Sequence, residues 1–89
     1  MSRVERIRVA LQAALAPSRL VVTDDSHKHA GHEGARDGRG HFDVQIVSQA
    51  FAGRSPLARH RMVYAALGRM METDIHALSL HASTEQESR

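Results

Sequence analysis

The sequence predicts an α/β domain in the order helix, strand, strand, helix, strand, with a three-stranded mixed sheet covered on one face by two long helices. Three observations carry this reading. Apolar residues recur at helical spacing in two separate stretches, from Val4 to Leu15 and from Leu57 to Met71. Alternating or β-branched runs lie between and after them, at Leu20-Val21-Val22-Thr23, Phe42 to Ile46 and Ile75 to Leu80. A strand, helix, strand connection makes the last two strands parallel, while the loop-joined first pair is expected to be antiparallel.

The first helix is expected over residues 3 to 16. Ser2 with Glu5 three residues later fits a capping box, and Val4, Ile7, Leu11, Ala14 and Leu15 form the apolar stripe that Pro17 stops. The first strand ends at Asp24-Asp25-Ser26, where the acidic pair is read as capping the strand and meeting Lys28. A variable loop over residues 26–41 follows and holds four of the six glycines, which relaxes the steric limits on its backbone. Connections of this length are usually functional or disordered. The second long helix is expected over residues 56 to 72, with Ser55 as N-cap and Pro56 in the first helical position. After the third strand, residues 83–89 form a polar tail expected to be disordered, so a single domain spans residues 1–82, with a short extra helical turn allowed for.

A chain of 89 residues holds one small domain, burying about 60 to 65% of the surface its unfolded form exposes. With 42% hydrophobic and 25% charged residues it has the means to build a core. Twelve Lys and Arg against ten Asp and Glu leave a formal charge of +2, which permits nucleic acid as a partner without demanding it. The absence of cysteine excludes disulfides, a thiol nucleophile and any thiolate-held metal or iron-sulfur site built from this chain alone. Apolar runs are short and Met1-Ser2-Arg3-Val4-Glu5 carries no signal-peptide core, so the chain is expected neither to span a membrane nor to be exported, with the cytoplasm as default compartment. No nucleophile, phosphate loop or paired-carboxylate spacing supports catalysis, and the chain is read as a non-enzyme.

Histidine is the residue type left to carry chemistry, and three of the seven fall within His27-Lys28-His29-Ala30-Gly31-His32. From the residues alone, His29 and His32 read as solvated loop imidazoles, or with His27 as weak zinc or nickel ligands lacking a second shell. His76 shares strand parity with Leu78 and Leu80 and reads as partly buried. His41, just before Phe42, is placed to hydrogen-bond the base of the loop. Arg54, Ser55, Arg59, His60 and Arg61 gather at the start of the second helix as a basic face for a protein or nucleic-acid partner, and His81 reads as structural.

The stretch HFDVQIVSQAFAGRSPLARHRMVYAAL, followed by IHALSLH, resembles the BolA family, whose fold is similar to a class II KH domain. The resemblance covers about residues 3 to 82 and is most specific at His41 to Ser48 with Phe51, Gly53 and Ser55, at Arg59-His60-Arg61, and at Ile75-His76-Ala77-Leu78. Asp25-Ser26-His27-Lys28-His29 also fits the family's entry into its variable loop. Two departures stand out. Thr84 is followed by Glu85-Gln86-Glu87, without the Pro and Trp that often close the family's sequences, and Gly53-Arg54-Ser55-Pro56 lacks the second glycine of an RNA-gripping KH loop.

The resemblance implies an adaptor that binds a monothiol glutaredoxin and shares a glutathione-containing [2Fe-2S] cluster with it. His76 and His29 would be the ligands on this side, with His32 as the alternative to His29. Thiolates of the glutaredoxin and glutathione would bring the thiolate sulfur this chain lacks, and the isolated chain is expected to hold no cofactor. The free form is expected to be a monomer or weak dimer. BolA relatives are also described as DNA-binding transcriptional regulators, and residues 51–67 resemble a helix-turn-helix in outline, with Arg54, Arg59, Arg61 and Arg69 available to phosphates. With 3% aromatics and small net charge, such binding is expected to be weak and steeply salt-dependent.

Overall fold

A computed structural model describes residues 1–29 and 38–89, giving the backbone alone for residues 28 and 29. The elements are α1 (Arg3–Leu15), β1 (Arg19–Asp24), a 3-10 turn (Ser26–His29), β2 (Gly40–Val47), a second 3-10 turn (Gln49–Phe51), α2 (Pro56–Leu67), α3 (Met70–Thr73) and β3 (Ile75–Ser83). The expected order is found, with the extra helical turn realised as α3.

The Ser2 hydroxyl accepts the Glu5 N–H and starts α1, which buries Ile7, Leu11 and Leu15 at four-residue spacing. The helix ends where Ala16 turns left-handed at φ 44° and gives its N–H to the Gln12 carbonyl, with Pro17 next. The sheet has the order β1-β2-β3, antiparallel between β1 and β2 and parallel between β2 and β3. Phe42, Val44 and Ile46 point from the central strand into one cluster with Ile7 and Leu11 of α1, Phe51, and Val63 and Leu67 of α2, so both long helices cover the same face. Asp43 and Gln45 alternate with these residues and face the other way.

Three expectations are corrected. The second helix stops at Leu67 instead of 72, because Gly68 takes φ +55° as its cap. Met70 and Met71 still pack on the core, from the separate turn α3. Their three-and-four spacing recorded burial without recording continuity of the helix. The helix-turn-helix outline is likewise not two helices, since Gln49–Phe51 is a three-residue 3-10 turn. The tail is ordered. Thr84 is buried, its N–H donates to Glu87 Oε1 (2.8 Å), and the Glu87 N–H returns to Thr84 Oγ1 (3.3 Å), the reciprocal pattern of a capping box. Arg59 grips both Glu87 carboxylate oxygens at 2.6 and 3.0 Å.

Candidate functional site at a strand bulge

The approach to the site begins where β2 meets β3. Gly40 lies opposite Ile75, but His41 lies opposite Ala77, so His76 is the extra residue of a bulge. The bulge breaks the two-residue alternation. Ile75 is buried and Leu78 packs on the core, while His76 and Ala77 between them are both exposed. The partly buried His76 expected from parity with Leu78 and Leu80 is therefore corrected: one inserted residue turns the imidazole out to solvent.

Both described ends of the Gly-rich loop converge here. The His41 N–H donates to Ser26 Oγ (3.1 Å), the Asp25 N–H donates to the His41 carbonyl (2.8 Å), and the Ser26 N–H donates to Asp24 Oδ1 (2.8 Å). The Ser26 side chain first, and then this backbone bond, hold the Asp24 carboxyl below its ordinary range. Asp24 thus closes the strand end, as expected, and His41 ties the loop base through its backbone. Gly40 is required at this closure, because a Cβ there would lie 2.7 Å from Ser26 Oγ and 2.8 Å from the Phe42 ring.

The His41 and His76 rings approach with centroids 5.1 Å apart and planes tilted by 50°. Arg39 lays Nη2 3.2 Å from His76 Nδ1. Since a guanidinium only donates, Nδ1 is the acceptor in this contact. Residues 38–41 therefore bring a cation and a second imidazole against His76. The backbone of His29 closes the first 3-10 turn, while its side chain and the whole of His32 lie outside the described residues. Among the described residues no group of three or more His, Asp or Glu is arranged to hold a metal. The exposed donor described here is the His76 imidazole, since His41 Nε2 is buried, and one such donor fits a group whose other ligands come from elsewhere.

The basic face proves uneven. Ser55 is the N-cap of α2, accepting the Ala58 N–H at 3.1 Å, and Arg54 and Arg61 are exposed. His60 meets Tyr64 edge-on at 6.3 Å. Arg59 is engaged within the molecule: its guanidinium donates to the carbonyls of Arg54 and Ala82, pairs with Glu87, and lies 6.0 Å from the Phe51 ring centre. It ties α2 to the end of the chain. His81 pairs across the strands with Asp43 at 3.5 Å, in keeping with a structural part.

Two residues of the site were not singled out from sequence, Arg39 and Asp74. Asp74 is buried immediately before the bulge, with Arg3, Arg6 and Thr73 on its carboxylate. Thr73 and then Arg6 hold that carboxyl below its ordinary range. An acid next to Ile75-His76 was the available signal, but its partners lie far off in the chain.

Fold and site together define a small KH-like α/β domain that offers an exposed imidazole, His76, beside the described ends of a Gly-rich loop. The sequence profile described as BolA-like protein matches residues 11–87, and the chain belongs to the BolA family. It is similar to Protein BOLA1, chloroplastic, of Arabidopsis thaliana, with 43% identity over 90 residues, covering 98% of this chain and 56% of that protein. The chain thus spans about half the length of that relative. It is also 42% identical over 83 residues to the DNA-binding transcriptional regulator BolA of Escherichia coli, covering 93% of this chain and 76% of that one. The solved structure of BolA1 from Arabidopsis thaliana superposes with a TM-score of 0.86 at 41% identity, covering 100% of this chain and 98% of that chain. Among the described residues no helix is long and apolar enough to cross a membrane.

Proposed function

We propose that this chain is a cytoplasmic adaptor that docks on a monothiol glutaredoxin and offers His76, with His29 or His32, to a shared glutathione-containing [2Fe-2S] cluster. The observation that supports it best is the bulge, which exposes His76 beside both described ends of a histidine-bearing loop. Imidazole in place of thiolate lowers the negative charge around iron and raises its potential, which suits transfer more than storage.

The chain's own part follows from Arg39. If ligation uses His76 Nδ1, Arg39 has to leave that nitrogen. If it uses Nε2, the ring proton moves to Nδ1, which then no longer accepts from Arg39. Either route breaks the contact, and either needs a neutral ring, so ligation weakens as the imidazole becomes protonated.

Anaerobic mixing with a cluster-loaded monothiol glutaredoxin is expected to change the visible absorption and circular dichroism from those of the glutaredoxin alone. His76→Ala is expected to abolish the change and His27→Ala to leave it. An unchanged spectrum with the wild-type chain would sink the proposal.

A second reading, DNA binding, rests on the name of the Escherichia coli relative and on exposed Arg54 and Arg61 at the start of a helix without acidic residues. Titration with duplex DNA at two salt concentrations tests it. Submicromolar, sequence-selective binding at physiological salt, with no glutaredoxin complex, would put this reading first.

A further inference from the structure

A cluster of charges centred on Asp74 lies two residues before His76. Asp74 is 9% exposed and its carboxylate is held from three directions. Arg6 Nη2 reaches Oδ2 at 2.5 Å, Arg3 Nε reaches the same oxygen at 3.3 Å, and the Thr73 hydroxyl donates to Oδ1 at 2.6 Å. Arg3 does more than neutralise it. Its Nη2 donates to the Gly38 carbonyl, while the Asp74 carbonyl accepts the Gly40 N–H at 2.9 Å. One residue therefore holds the closing end of the Gly-rich loop twice, by its main chain at Gly40 and through Arg3 at Gly38. Between these two points sits Arg39, lying against His76, and two positions after Asp74 sits His76 itself.

We infer that Asp74 and Arg3 form a staple that positions the loop's closing segment, residues 38–41, against His76. Its chemical purpose rests on the proposed role of His76. The staple fixes the spacing between the last strand and the loop, so Arg39 and His41 meet the imidazole in one arrangement. Asp74 and Arg3 are positioning residues, which touch the loop and the strand and leave ligation to histidine. The side chains of Arg3 and Arg6 are 38% and 43% exposed, so their worth as ion pairs for stability is small, and the geometry they impose is the more consequential effect. Supports of this kind commonly change metal affinity without being ligands.

Arg3→Gln is the selective variant, because Asp74 keeps Arg6 and Thr73 while the link to Gly38 is lost. Arg8→Gln is the control, since Arg8 bonds the Leu20 carbonyl elsewhere on α1. In the metal-free chain, amide hydrogen exchange is expected to rise about tenfold at Gly40 and His41 in Arg3→Gln and Asp74→Asn. It should stay at wild-type rates in Arg8→Gln and at core amides of all three. Unchanged exchange at Gly40 and His41 in both variants would overturn the staple, whatever the fate of the cluster proposal. With loaded glutaredoxin, the two variants are expected to form the altered spectrum with about tenfold tighter affinity, because a loosened segment gives up the Arg39 contact on His76 Nδ1 that ligation has to break. Wild-type affinity in both would overturn the positioning role. If the wild-type chain gives no altered spectrum, the function of His76 fails, and the exchange result still decides the staple.

Discussion

At Gly40 a single missing carbon lets the loop close. Any side chain there meets Ser26 Oγ, which is already accepting the His41 N–H, and the ring of Phe42, which is 2% exposed and cannot yield freely. Gly40→Ala is expected to cost about 1 to 3 kcal/mol by overpacking, read as a lower urea midpoint, and to shift the His41 amide resonance. Retention of both wild-type values would contradict the close approach. His76 makes a related point about legibility. Its identity as a candidate was readable from the resemblance, yet its exposure was misread from parity. Alternation assumes an unbroken register, and nothing in Ile75-His76-Ala77-Leu78 announces a bulge.

The elements were legible where local chemistry sets them. The Ser2 and Ser55 caps, the Pro56 start and the α1 stop before Pro17 are all short-range devices. Ala16 is the one that fits its place badly, since an alanine at φ 44° carries a left-handed strain that glycine avoids. Ala16→Gly is expected to stabilise the fold by about 1 kcal/mol, measurable as a rise in thermal midpoint. The ending at Thr84-Glu85-Gln86-Glu87 was misjudged because it is polar throughout, although its Thr-x-x-Glu spacing is itself a capping-box pattern. Arg59, followed by the Thr84 N–H, holds the Glu87 carboxyl at about 2 against an ordinary 4.5. Because that value is depressed on folding, the latch contributes fully above pH 4.5 and is lost as the pH falls through about 2. Glu87→Gln is therefore expected to lower the thermal midpoint at neutral pH and to match wild type near the bottom of that window. An equal deficit at both ends would dismiss the ionic latch.

Across the molecule one core joins α1, the sheet, α2 and the Phe51 turn, and Phe51 is wholly buried at their junction. Phe51→Ala is expected to cost about 3 to 5 kcal/mol in denaturant unfolding, enough to threaten a domain of this size. The chain by itself determined the element types, the apolar faces, the family, and the lack of cysteine, which leaves it no thiolate of its own for an iron-sulfur site. Periodicity, capping and composition act over a few residues and can be read there. Tertiary structure alone decided that His76 faces outward, that Arg39 lies on it, that Arg59 is spent on the chain's own ending, and that Asp74 staples the loop. These depend on strand register and on partners 28 to 71 residues apart, Arg59 with Glu87 at one limit and Arg3 with Asp74 at the other. Contacts over such separations are selected by how the whole core packs, and no local pattern encodes them.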